Sequence, residues 1–561
     1  MAESSTTHPQ PSTGQEREPW MRRVGEPIFN GVERIGNALP TPFLLFTYLF
    51  LITALASSVM AWAHLTVTVP GSEEETAIKG LFTGEGLVWL TENIGKNYIG
   101  FPPLVTVMPI LLAVGVAERS GMLSALIRKL FGSARAGALP YAVGLIGVTA
   151  SIMADAAFVV VPPLAAMVFK AAGRHPVAGL LGGFASVGAG YSTALVPTSL
   201  DAMFAGITNA VMETLPGSAA TEVNPVSNYY FNIVSAILLG LVAGFLVDKV
   251  LEPRMWRQDV PTERQDTQPD TSDLDDLPRV RTDGDAIIAA HGISAHDSGG
   301  GELSPQLNAT ESQALKVSLW ATALTGVITL AAVLIPASPW RNEGGGFLPQ
   351  SPLLNSIVFL CFLFFMVMGV VYGRVVGSIK RFDDFVDMMG EAIKDMIGFL
   401  VLAFILGQFV ALFSWTNIGT WTAVKGAAGL QAMGLGGLLA ILAFIALASC
   451  LNLLIISGSA MWTLMAAVFV PMFALIGIEP GFTQAAFRVG DSATQVITPL
   501  NPYMIVILGL LRRYEPHAGL GTLMSRLFVF VVPFWLSWVV LLCVWYFLDL
   551  PLGPGAGIFI Q

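Results

Sequence analysis

FASVGAGYSTALVPTSLDAM (residues 184 to 203) and FRVGDSATQVITPLNPYM (residues 487 to 504) are two versions of one pattern within an apolar chain. Val187-Gly188 falls on Val489-Gly490, Ser192 on Thr494 and Pro197 on Pro499, all without a gap. Upstream, GRHP (Gly173 to Pro176) matches GIEP (Gly477 to Pro480) after a two-residue slip. Each copy follows a small-residue, serine-containing apolar run. A membrane chain with two such halves, each broken by Gly, Pro and a few charges, reads as a secondary transporter. In that class the broken segments of the repeats meet near the bilayer midplane and hold the substrate.

Composition supports the membrane reading. The 561 residues are 54% hydrophobic and 12% charged, too little charge for a soluble chain of this length. A spanning helix needs roughly 20 mostly apolar residues. Nine segments qualify: 39–64, 101–118, 137–153, 227–248, 316–336, 353–373, 395–413, 432–450 and 525–548. The regions 154–212 and 452–511 are apolar but interrupted. The expected fold class is an all-α polytopic membrane protein, with about nine transmembrane helices plus two re-entrant helical hairpins in an inverted-topology repeat.

The expected organisation has five parts. Residues 1–38 form a cytoplasmic N-terminal region. Residues 39–250 form the first half, with hairpin 1 at about 154–176. Residues 251–315 form an acidic linker, 316–548 the second half with hairpin 2 at about 452–480, and 549–561 a tail. The two hairpin tips are expected to approach each other. The net charge of −10 is concentrated in the linker, which holds 13 acidic and 5 basic residues. Rich in Asp, Pro, Gly and Ser, it reads as solvated and dispensable for transport. No basic nucleic-acid face occurs.

Lysine and arginine mark the cytoplasmic loops. Arg17, Arg22, Arg23 and Arg34 place the N-terminus inside, and the glutamates of 65–98 lie outside. Arg119, Arg128, Lys129 and Arg135 are inside; Glu213 and Glu222 are outside. Lys249, Arg254 and Arg257 are inside, as are Arg374, Lys380 and Arg381, then Arg512, Arg513 and Arg526, which leaves the C-terminus outside. The first copy therefore ends outside and the second ends inside. Charge counting alone thus inverts the two copies.

Ionisable groups in apolar segments cost roughly 2.5 to 3.5 kcal/mol each on insertion scales. Asp155, Asp201, Arg488 and Asp491 are the outstanding ones. Arg488 and Asp491, spaced i, i+3, share a helical face. Either they neutralise each other, or Arg488 meets an anionic substrate while Asp491 changes protonation or binds a cation. Arginine suits a carboxylate because its fork makes two parallel hydrogen bonds. Asp201 reads as a site residue or as a helix cap, and Asp155 as an ion-coupling group or a structural acid. Asn452, Ser457 and Ser459 sit in the glycine-broken run CLNLLIISGSAMW, which can offer oxygens to a cation or a polar substrate. Trp462 follows as a packing or ring-stacking residue. Cys361, Cys450 and Cys543 lie in apolar runs and read as small buried hydrophobes. No metal-ligand spacing, GxSxG, HExxH or P-loop in the required context is present. No cofactor is expected. The coupling ion is H⁺, which suits Asp491 and Asp201, or Na⁺, which suits Asn452, Ser457 and Ser459.

Five stretches resemble the p-aminobenzoyl-glutamate transporter (AbgT) family. They are SGSAMW (457–462), VFVPMFALIGIEPGFTQAAFRVGDSATQVITPLNPY (468–503), ADAAFVVVPPLAAMVFKAAGRHPVAG (154–179), FSWTNIGTWTAVKG (413–426) and RRYEPHAGLGTLMSRL (512–527). The resemblance implies a homodimer of nine-spanning protomers with two re-entrant hairpins, in a bacterial inner membrane. It implies aromatic carboxylate substrates, p-aminobenzoyl-glutamate and p-aminobenzoate, and in some members export of sulfonamide antimetabolites. Export is the leading direction and import the alternative. Carried over by position, the functional residues would be Asp201, Asn452, Ser459, Trp462, Arg488, Asp491 and Pro499. Met461 stands where many members have lysine, and the long acidic linker is a second departure. A channel and an intramembrane enzyme pairing Asp155 with Asp201 are the competing classes. The enzyme reading requires both acids to face one cavity.

Overall fold

The computed structural model describes residues 40–68, 75–215, 222–263, 307–336, 338–348, 350–434, 436–455, 457–498 and 501–560. The N-terminal region, most of the acidic linker and Pro499 lie outside the described residues.

A helix occupies each of the nine apolar segments. Among the described residues, seven helices are long and apolar enough to cross a membrane, including Pro42–Trp62, Ala309–Leu334, Ile357–Val376, Ile397–Trp415 and Leu520–Leu548. The segments expected at 137–153 and 432–450 form the shorter helices Leu139–Met153 and Leu438–Asn452. Fifteen residues span about 22 Å, less than a hydrocarbon core of about 30 Å. Further helices fill segments expected as loops: Gly84–Ile99, Met122–Gly132, Phe382–Asp395 and Ile418–Ala432. Thr66–Thr68 pairs antiparallel with Glu75–Ala77. In Phe382–Asp395, Asp384 accepts the backbone N–H groups of Lys380 and Arg381, both at 2.7 Å. Those bonds hold its carboxyl below the usual carboxylate range.

The repeat is visible as matched elements. Leu139–Met153 answers to Leu438–Asn452, Ala156–Ala171 to Gly458–Ala474, and Pro176–Ala189 to Pro480–Gln495. Pro176 and Pro480 both start their helices, where a missing N–H costs nothing. Gly173 and Gly477 turn the preceding loops at φ +71° and +87°, a region open to glycine without strain. Each hairpin thus includes a second arm that the sequence expectation left out: the pairs are 156–189 and 458–495.

The hairpin tips do not meet. Arg174, on the first tip, bonds Asp248 at 2.5 Å and also Glu252, at the far end of the helix that begins at Tyr229. The second tip is held by the tail: Glu479 N donates to Ile558 O at 2.8 Å and Ile560 N to Gly477 O at 2.9 Å. That tail also accepts the N–H groups of Tyr230 and Phe231 on Leu552 O. The two tips therefore sit at opposite ends of one helix. Twenty-two residues separate Tyr230 from Glu252 (252 − 230), roughly 33 Å at 1.5 Å per residue. The second arms meet instead, Ser192 just beyond one and Arg488 to Ser492 within the other.

The expected linker is shorter than 251–315. Helix continues through Glu252–Arg257, and the next helix among the described residues begins at Ala309. Glu252 anchors the first tip, and Glu311 bonds Arg128 at 2.6 Å. Those boundary acids hold structure, so only the interior of the acidic segment remains a candidate for deletion.

Glycine sets the closest helix contact. A Cβ at Gly144 would sit 2.0 Å from the carbonyl oxygen of Gly240, on the neighbouring helix. Small residues at such seams let backbones approach in a membrane. Gly144→Ala is expected to lower stability by about 1–3 kcal/mol through overpacking. Gly137→Ala, which meets nothing within 4 Å, is expected to be neutral. Thermal unfolding in detergent checks both; equal melting temperatures would refute this seam.

Candidate functional site

The site is built where the two second arms cross. Arg488 lies in the middle of Pro480–Gln495 and is 1% exposed. Its Nη1 reaches Asp201 Oδ1 at 2.7 Å and the Ser192 carbonyl at 2.6 Å. Its guanidinium lies 5.2 Å from the Phe204 ring centre. The ion pair therefore joins the two halves; Arg488 pairs with Asp201 rather than with its helical neighbour Asp491.

Asp201 is fully used. Thr198 is the N-cap of Ser199–Met212, and Asp201 sits at its third position in a capping box. Asp201 Oδ2 accepts Thr198 N at 2.7 Å and Thr198 Oγ1 at 2.8 Å. Oδ1 accepts Asn232 Nδ2 at 3.0 Å besides Arg488. Capping and pairing with arginine are thus both true of one carboxylate. Four donors around a carboxylate offset its loss of water.

Asp491 faces the same crossing. Ser192 Oγ donates to its Oδ2 at 2.9 Å, and Ser192 N donates to Ser492 Oγ at 3.1 Å. Its Oδ1 is buried without a hydrogen-bond partner. Asn452 Nδ2 donates to the Asp491 carbonyl and to Thr494 Oγ1, the latter at 3.0 Å. Asn452 Oδ1 is likewise unpartnered. Trp462 is fully buried, its ring 4.6 Å from Phe487, and its Nε1 donates to Thr208 Oγ1 at 3.2 Å. Met461 is buried beside it in the chain.

A cavity of about 1010 Å³ lies next to this layer. Asp155, Ser457 and Ser459 line it; Asp201, Asn452, Trp462, Arg488 and Asp491 stand behind its wall. Ser457 caps Gly458–Ala474 through Ala460 N at 3.4 Å, and its Oγ lies 3.1 Å from Ser459 Oγ. Asp155 interacts with the Tyr503 side chain. Glu118, Arg119 and Asp395 line the cavity where Arg119 and Asp395 form an ion pair. Asp155 and Asp201 do not share the cavity, so the paired-carboxylate arrangement of an enzyme is not formed.

The model of the "AbgT putative transporter family" matches residues 27–284 and 285–560. The p-aminobenzoyl-glutamate transport protein of Escherichia coli (strain K12) is 33% identical over 534 residues, 94% of this chain and 96% of that one. The chain belongs to the AbgT family. Its structure is similar to that of the Alcanivorax borkumensis YdaH transporter, with a TM-score of 0.81 and 34% identity over 92% of this chain and all of that one. It is also similar to Neisseria gonorrhoeae MtrF, described as illuminating a class of antimetabolite efflux pumps, at TM-score 0.80 and 33% identity over 94% of this chain and all of that one.

For an AbgT chain, the sequence signal lies in the apposition of the halves. Ser192, Thr198 and Asn232 complete the cluster but were not singled out as site residues. Ser192 was legible only as one position of the repeat. Asn232 lies in a helix with no motif around it, and only the fold brings it to Asp201.

Removing one partner of a buried ion pair costs about 3–5 kcal/mol because the other charge is stranded. Arg488→Leu and Asp201→Leu are each expected to lower the melting temperature sharply, and the double variant to recover most of it. Unfolding curves of the four proteins decide. Additive losses in the double variant would refute the pairing.

Proposed function

We propose that this chain is an ion-coupled secondary transporter of p-aminobenzoyl-glutamate and p-aminobenzoate-type aromatic carboxylates, working as an exporter and accepting sulfonamide antimetabolites. It is a homodimer whose protomers carry about nine membrane helices, two of them too short to cross alone, and two re-entrant hairpins, in a bacterial inner membrane, with the N-terminus in the cytoplasm and the C-terminus outside. It carries out no catalysis. The observation that carries this reading is the buried Arg488 guanidinium, held between two inverted hairpins directly behind a wide cavity. A fixed guanidinium in low dielectric is the expected reader of a carboxylate. Lipid-facing surface on Ala309–Leu334, where Trp320 is 77% exposed, fits a bilayer.

The coupling ion belongs at Asp491. One of its oxygens and the Asn452 side-chain oxygen are buried and unpartnered, so the Asp491 carboxylate can take a proton, and both oxygens can contribute to a Na⁺ shell. The similarity to MtrF supports export. A substrate carboxylate displaces Asp201 or Ser192 from Arg488, and protonation or cation binding at Asp491 sets which arrangement is stable.

Counterflow of labelled p-aminobenzoyl-glutamate in proteoliposomes, with pH and Na⁺ varied separately, tests the reading. Asp491→Asn is expected to exchange substrate but lose accumulation against a gradient. Accumulation by Asp491→Asn at the wild-type level would refute the coupling role. Equal flux without any imposed gradient dependence would favour a channel.

A further inference from the structure

The cavity wall holds two buried amides that the transport reading does not use. Gln495 ends Pro480–Gln495, and Asn501 lies just before the helix Tyr503–Arg512. Both line the cavity, and they are 3% and 2% exposed. Gln495 Oε1 and Asn501 Nδ2 have no hydrogen-bond partner. Asn501 Oδ1 accepts Tyr503 N at 3.0 Å, which fixes the orientation of that amide and leaves its free atom a donor. One unpaired acceptor and one unpaired donor thus flank the same cavity. Beside them Phe158 and Tyr503 stack at 5.2 Å with planes 7° apart, one from each half of the chain. Both rings line the cavity, and Tyr503 is only partly buried.

A secondary amide presents one N–H and one C=O. We infer that Gln495 and Asn501 are specificity residues that read the amide bond of an aroyl–amino acid conjugate, Gln495 accepting its N–H and Asn501 donating to its carbonyl, with the aryl ring laid against Tyr503. The inference rests on the proposed transport function and deepens it. It explains why these two buried amides each leave a polar atom unpaired at the cavity wall. A site that hydrogen-bonds a substrate group rejects analogues lacking that group, because its own atoms are then stranded. Free p-aminobenzoate lacks the amide, so neither residue should matter for it.

The test is equilibrium binding to the full-length chain in detergent, with three probes. They are p-aminobenzoyl-glutamate, p-aminobenzoate, and the ester analogue in which oxygen replaces the amide N–H. The wild type is expected to prefer the amide over the ester by about tenfold or more. Gln495→Met should abolish that preference and leave p-aminobenzoate binding unchanged. Asn501→Ala should weaken amide and ester alike by about tenfold, again sparing p-aminobenzoate. Gln495→Glu, which keeps an acceptor, should retain the amide preference and guards against misfolding of the methionine variant. Equal weakening of all three probes in the variants would mean a structural role and overturn the inference. So would an unchanged amide preference in Gln495→Met. Wild-type binding of p-aminobenzoate without discrimination between amide and ester would overturn the inference alone. Binding of none of the three by the wild type would overturn the proposed function and the inference with it.

Discussion

A guanidinium without water needs a carboxylate, and Arg488 draws its own from the other half of the chain. Arg488 and Asp201 are both at least 98% buried, and the bond between them crosses the seam of the repeat. In low dielectric neither charge is tolerable alone. The halves must therefore be docked before either segment is stable, which couples assembly of the fold to assembly of the site. The same dependence makes the seam responsive. An anion placed at Arg488 would compete with Asp201 and the Ser192 carbonyl for the same guanidinium N–H donors.

The inverted arrangement follows from how the hairpins are anchored. The helix beginning at Tyr229 serves both, with Asp248 and Glu252 at one end and the tail contact through Leu552 at the other. A tip fixed at each end leaves the second arms to cross between the anchors. The packing around them is dense: a Cβ at Gly188 would meet Val496 across the crossing at 3.0 Å, and one at Gly490 would meet Ala448 of the neighbouring helix Leu438–Asn452 at 2.5 Å. Packing at this density has few intermediate positions, so any rearrangement between the anchors should be a switch between discrete states.

Much of this was legible in the chain. GRHP and GIEP marked both turns because glycine at positive φ followed by a helix-starting proline has a strong local cause. The apolar runs located every long helix, since burial in lipid demands length and hydropathy. The partner of Arg488 was not legible. The i, i+3 spacing pointed to Asp491, but helical geometry permits a pair without requiring it, and Asp201 offered an oxygen from across the seam. The hairpins were drawn one arm short because Pro176–Ala189 and Pro480–Gln495 are too polar or too short to register as spans. The ends of the acidic segment misled for a related reason: its composition is that of a solvated linker, yet Glu252 and Glu311 each found an arginine that only the tertiary fold brings near.

The distribution of unsatisfied polar atoms separates scaffold from machinery. Six of the thirteen residues carrying a buried, unpartnered side-chain atom among those described lie between 483 and 501: Thr483, Gln484, Arg488, Asp491, Gln495 and Asn501. Asn452, which bonds this segment, is a seventh. Each such atom costs about 1–3 kcal/mol unless something occupies it. Chance would scatter them over a chain of this size, and a purely structural helix would shed them. This stretch, at the crossing of the two second arms, concentrates unpaired donors and acceptors, and those of Gln495 and Asn501 stand at the cavity wall. The strain is therefore placed where binding can relieve it, and the apolar, well-packed helices around it supply the stability that lets it persist.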